Sequence, residues 1–145
     1  MLEITSLKNG LVIDHIEAGA GVKIFKYLNL DKNNERAALI INAESKQYGR
    51  KDIIKFEKED TSDVDYTILA LMSPRITIDE VKDGKIVNKV KPQLPEKVEN
   101  ILICKNPRCI TIDEKYVPHS FILMDREKGT YRCEYCDTIT RLADN

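Results

Sequence analysis

Residues 101–113, ILICKNPRCITID, and residues 129–138, GTYRCEYCDT, decide how this chain is organised, because they contain all four of its cysteines. Cys104 and Cys109 form a Cys-x4-Cys pair, 23 residues follow, and Cys133 and Cys136 form a Cys-x2-Cys pair. Each pair sits at a short turn that can aim two sulfurs at one ion, and the two turns meet if the segment folds back as a ribbon. The first hundred residues contain no cysteine. The chain therefore divides into a cysteine-free part and a short part closed by thiols.

Composition says in which state those thiols are kept. Of the 145 residues, 42% are hydrophobic and 32% charged, the balance of a soluble globular protein. No apolar run approaches the roughly 20 residues needed to cross a bilayer, and MLEITSLKNG at the start lacks a basic segment followed by an apolar one. A cytoplasmic location without membrane attachment is the expectation. Cytosolic thiols stay reduced, so a metal is expected rather than two disulfides. Zinc suits four thiolates in a tetrahedron, and iron in a rubredoxin-like site is the alternative. Four thiolates fill the coordination shell and leave no open position for a reacting water, so the site reads as structural. They also leave no cysteine over as a nucleophile.

Upstream, the segments alternate in type. LVIDHI reads as a strand, AGVKIFKYLNL as a helix with Val22, Phe25 and Leu28 at helical spacing, RAALIINAE as a buried strand, SKQYG as a turn and RKDIIKFE as a strand. In TSDVDYTILALMSP, Ser62 is expected to cap a helix with Asp65 returning the bond; Val64, Ile68, Leu71 and Met72 form its buried stripe, and Pro74 ends it. RITIDEV and KIVNKV read as strands joined by a hairpin turn that carries Asp83-Gly84. This order predicts an α+β fold: an N-terminal ferredoxin-like βαββαβ domain over residues 1–91, with one added strand and both helices on one face of a mainly antiparallel sheet.

Pro92 and Pro95 mark residues 92–98 as a linker. Residues 99–145 then read as a small antiparallel β zinc ribbon, rubredoxin-like, built from VENILIC, SFILMD, TYRC and TITRL with no convincing helix. So short a segment cannot build a secure core alone, and a metal makes good the deficit.

Strand alternation puts Lys51, Ile53 and Lys55 on one face and Asp52, Ile54 and Phe56 on the other. Two lysines beside an apolar residue suit a ligand with phosphates at one end, although alternating lysines also line ordinary solvated faces. Lys89 joins them if the strands are neighbours, and Asp14 and His15 come from the first strand. His119, in YVPHSFIL, reads as a packing or surface residue. No phosphate loop, nucleophile elbow or paired catalytic carboxylates appear. Residues 1–98 carry equal numbers of basic and acidic side chains, and residues 99–145 one more acid than base. A zinc-ribbon nucleic-acid-binding or transcription-associated protein, the rival reading, would carry a basic stripe with aromatics.

GLVIDHI, GRKDIIK, KPQLPEKVENILICKNPRCI and CEYC, in this order and with this cysteine spacing, make nearly the whole chain resemble the regulatory chain of aspartate carbamoyltransferase. The resemblance implies a non-catalytic allosteric subunit of pyrimidine biosynthesis that binds CTP, UTP or ATP, with or without Mg2+. It also implies a structural Zn2+ held by Cys104, Cys109, Cys133 and Cys136. By the same resemblance Val12, Asp14, His15, Lys51, Lys55 and Lys89 line the nucleotide site. The family pattern has an Asn and a Tyr where this chain carries Asp79 and Gly84, and an acid there is expected to bear on base preference. Asn106 and Asp137 match in kind positions that contact the catalytic chain, and Arg108 stands at a further one where the family often has Asn. The implied assembly is a homodimer of regulatory chains within a dodecamer, with no nucleic-acid partner.

Overall fold

The computed structural model describes residues 7–32, 36–46 and 49–141. Twelve elements follow one another: β1 (Gly10–Glu17), α1 (Gly21–Tyr27), β2 (Ala37–Ser45), β3 (Gly49–Glu57), α2 (Tyr66–Met72), β4 (Thr77–Lys82), β5 (Lys85–Val90), β6 (Lys97–Glu99), α3 (Ile110–Asp113), β7 (Ser120–Asp125), β8 (Thr130–Cys133) and β9 (Ile139–Thr140). The first five strands form one antiparallel sheet in the order β2-β3-β1-β4-β5. Without β5 this is the strand order of a ferredoxin-like fold, and β5 is the added strand. The last four strands form a second sheet, β6-β7-β8-β9.

Alternation fixes which face of the first sheet is covered. Leu11, Ile13, Ile54, Phe56 and Ile78 are buried beneath Ile24 of α1 and Leu69 of α2. Val12, Lys55 and Asp79 therefore share the opposite face, away from the helices. The β4–β5 hairpin turns on Asp83-Gly84, both at positive φ (52° and 76°), as a two-residue turn of this type requires.

Several local expectations are corrected. Asp65, not Ser62, caps α2: its Oδ1 accepts from the Thr67 and Ile68 amides at 3.0 and 3.3 Å, whereas Ser62 donates its own amide to Asp60. The cap lies one residue before the helix, and Asp63 and Val64 precede it as non-helical chain. In α1 the buried position is Ile24 rather than Val22, which is 40% exposed. β2 lies at the edge of the sheet and is only half-buried. The expected turn over 45–49 includes residues 47 and 48, which lie outside the described residues.

The C-terminal part contains a single helical turn, α3, where no helix was expected; it starts directly after Cys109, as the chain leaves the first cysteine turn. Of VENILIC only Val98 and Glu99 pair as a strand, within β6, and of TITRL only Ile139–Thr140, with Leu142 outside the described residues. The chain around the cysteines follows tight turns, which leave few backbone groups free for a ladder.

The two sheets do not stand apart. Ala70 and Leu71 of α2 are buried in the same apolar cluster as Leu94, Val98, Leu102, Phe121 and Tyr131. The connecting segment is pinned as well: Arg126 donates to the Leu94 carbonyl at 2.7 Å and the Tyr131 hydroxyl to the Pro95 carbonyl at 2.6 Å.

Candidate functional site

Two groupings of side chains stand out, one on each sheet. On the first, the register aligns four predicted residues across adjacent strands: Val12 lies opposite Lys55 on β3 and opposite Asp79 on β4, and Asp79 lies opposite Lys89 on β5. Lys55 and Lys89 are thus separated by three strand spacings, roughly 14 Å, a span that two flexible lysine side chains can close on an extended anion. Neither lysine forms an ion pair among the described residues.

Beside that row, Lys51 pairs with Asp14 at 3.0 Å. Asp14 also accepts the His15 amide at 2.6 Å. His15 has φ 58° at a bulge where the β1–β3 register slips between Ile13 and Ile16. The bulge turns the His15 ring toward β4, where Nδ1 and the Thr77 hydroxyl share a 2.9 Å hydrogen bond. All seven predicted residues of the face thus lie on β1, β3, β4 and β5, with Gly84 at the hairpin tip. Thr77 was not foreseen, since a threonine in a strand carries no signal until its neighbour is known.

The shape of this region depends on Asp52, on the covered face. It is fully buried, and its carboxylate accepts from the amides of Gly19 (3.1 Å), Gly21 (3.0 Å) and Asn42 (3.0 Å). A Cβ on Gly21 would lie 2.7 Å from that carboxylate, so the tight entry to α1 needs glycine there.

On the second sheet the four cysteines come together as predicted. Their sulfurs all lie within 4.8 Å of one another, with Cys104–Cys136 at 3.4 Å and Cys109–Cys133 at 3.7 Å. All four are free thiols, and all but Cys136 are buried. An ion bonded to four sulfurs at about 2.3 Å sets them about 3.8 Å apart, so these spacings fit a tetrahedral metal such as zinc.

Burial pushes the Cys104 thiol up to about 12 and raises that of Cys133. Cys136 is held at about 6, its own slight desolvation outweighed by hydrogen bonding with Thr138 and Cys104. A divalent ion must displace protons from buried thiols here, so its affinity falls with acid. The Thr111 hydroxyl donates to the Cys109 sulfur at 3.1 Å, and the Thr138 hydroxyl lies 3.2 Å from that of Cys136. Both threonines follow a cysteine by two, a repeated Cys-x-Thr pattern that is legible in the sequence.

The predicted contact residues flank this cluster. Asn106 accepts the Arg108 amide at 3.0 Å inside the first cysteine turn. Asp137, at φ 64°, closes the second and pairs with Arg132 at 2.5 Å. His119 stands apart from the sulfurs, its amide bonded to Asn100 and its buried Nδ1 without a protein partner among the described residues.

The family model described as aspartate carbamoyltransferase regulatory chain, allosteric domain, matches residues 2–93, and the one described as its metal binding domain matches residues 96–144. The chain is 54% identical over 139 residues to an aspartate carbamoyltransferase regulatory chain of Clostridium botulinum (strain Hall), covering 96% of this chain and 94% of that one. It is 51% identical over 144 residues to that of Clostridium tetani, covering 99% of each, and 44% identical over 141 residues to that of Bifidobacterium longum, covering 97% and 100%. The chain belongs to the aspartate carbamoyltransferase regulatory chain family.

Proposed function

We propose that this chain senses a nucleoside triphosphate on the open face of its first sheet and passes the result to a catalytic chain through its metal-bearing end. The cross-strand row Lys55, Val12, Asp79 and Lys89, flanked by the Asp14–Lys51 pair, carries this reading. Lys55 and Lys89 hold the phosphates, with His15 beside them. Asp79 repels phosphate, and so it faces the sugar or base and biases the choice among CTP, UTP and ATP. Asp14 keeps Lys51 in place. Mg2+, where present, accompanies the phosphates.

A structural zinc on Cys104, Cys109, Cys133 and Cys136 makes the second sheet rigid enough to dock. Asn106, Arg108 and Asp137 contact the catalytic chain, and the exposed Ile103 (62%) and Tyr116 (82%) of the same domain supply apolar surface. Residues 1–91 are the sensor, 92–98 the connection and 99–145 the docking domain, in a cytoplasmic homodimer that is part of a dodecamer. The effector must bind the two quaternary states unequally, and a coupling of about 1–3 kcal/mol alters substrate affinity roughly 5–150-fold.

Calorimetric titration of the zinc-loaded protein with CTP, UTP and ATP, with and without Mg2+, tests the sensor. Saturable binding that weakens about tenfold or more in Lys55→Ala is the expected result, since a charge-assisted bond is lost. Equal affinity in the variant would remove Lys55 from the site, and absence of binding at millimolar nucleotide would remove the sensing role.

A further inference from the structure

A cleft of about 480 Å³ opens where the two sheets meet, lined by none of Val12, Lys55, Asp79 and Lys89 and by none of the cysteines. Its walls come from both halves of the molecule. The first sheet supplies Glu17 and Arg50, the chain leaving α2 supplies Arg75, and the second sheet supplies Glu127, Lys128 and Arg141. Four permanent cations thus face two acids. Glu17 is already matched with Arg141 at 2.6 Å, whereas Arg50 and Lys128 form no ion pair among the described residues. These two like charges line one cleft from different halves of the molecule. Ile16, Ala18 and Pro74 add apolar lining.

We propose that this cleft is a second ligand site, for a small molecule carrying a phosphate or polyphosphate group, held between the two halves by Arg50 and Lys128 with Arg75 and Arg141 beside them. The volume lies within the range of small-molecule sites, about 300–1,000 Å³, and such sites favour domain junctions. Arginine and lysine from the two halves can bond one anion together, and its charge offsets theirs. His15 lines the cleft and also borders the row of predicted nucleotide contacts. An occupant here therefore touches the strand that carries the sensor.

Two sources share this chemistry: a separate phosphorylated metabolite, or the phosphate tail of the nucleotide itself. The probe is sodium tripolyphosphate, titrated calorimetrically into metal-loaded, full-length protein with and without saturating CTP. Wild type is compared with Arg50→Ala/Lys128→Ala, with Lys55→Ala, and with Lys26→Ala/Lys32→Ala, which removes the same charge from α1 and the turn after it. All four side chains of the paired variants are exposed, so the fold is retained; circular dichroism checks it, and Arg50→Gln/Lys128→Gln replaces the first pair if it fails.

Binding that weakens about tenfold or more in the Arg50/Lys128 variant, but survives in Lys55→Ala and in the charge-matched control, supports the site. Persistence under CTP then identifies a separate molecule as the occupant. Displacement by CTP, with CTP itself weakened by the cleft variant, identifies the nucleotide's own phosphates. Undiminished binding in the cleft variant, an equal loss in the charge-matched control, a loss confined to Lys55→Ala, or no binding to wild type at millimolar probe overturns the proposal.

Discussion

Asp52 is the side chain with the most backbone depending on it. It satisfies amides on the approach to α1 and at the bulge of β2 while fully buried, and the buried Gly21 amide has no water to turn to. Asp52→Ala should therefore lose about 3 kcal/mol or more in urea unfolding, and a loss below about 1 kcal/mol would mean that the amides find other acceptors. Glu57 shows the opposite case, an exposed pair of small weight. The hydrogen bond from Arg36 holds its carboxyl below the usual 4.5, against some desolvation. A depressed folded-state value means that the pair stabilises fully above about 4.5 and that this contribution is lost as pH falls through the folded-state value. In a carboxyl carbon NMR titration, Arg36→Ala should raise the Glu57 midpoint toward 4.5; an unmoved midpoint would assign the depression to another neighbour.

Among the elements, α2 connects both cores. Leu69 packs beneath the first sheet, while Ala70 and Leu71 belong to the second cluster. Its start depends on Asp65, so Asp65→Ala should cost about 1 kcal/mol, and Ser62→Ala much less. Chemical denaturation of the two variants separates them, and reversed magnitudes would return the cap to Ser62. Leu71→Ala should cost about 2–5 kcal/mol, because the residue is 1% exposed and its cavity lies where the two halves meet. A loss below about 1 kcal/mol would show that the halves repack around it.

For the whole molecule, removing the metal should unfold the second half. Three of the four cysteines are buried in the same cluster as Leu102, Phe121 and Tyr131, so an ion's ligands and the core are the same residues. Chelation should expose Tyr131, release the Pro95 contact and remove amide protection from β7 and β8, while β1, β3 and β4 stay protected. Hydrogen exchange with and without chelator measures this. Retained protection in β7 and β8 would show that the apolar cluster suffices alone, and loss throughout would show that the two sheets fold as one unit.

Sequence alone determined what rests on local chemistry. Alternation in RKDIIKFE assigned Lys55 and Asp52 to opposite faces, Asp-Gly located a hairpin, and cysteine spacing specified four converging thiols. Each of these follows from strand period, turn stereochemistry or ligand count, which a few neighbouring residues define. Only the tertiary structure decided that Val12, Asp79 and Lys89 align with Lys55 in one row, that Thr77 holds His15, and that Arg50 and Lys128 line one cleft. Those relations depend on strand register and on how two sheets pack, and both are set by burial summed over the whole chain rather than by any one stretch of it.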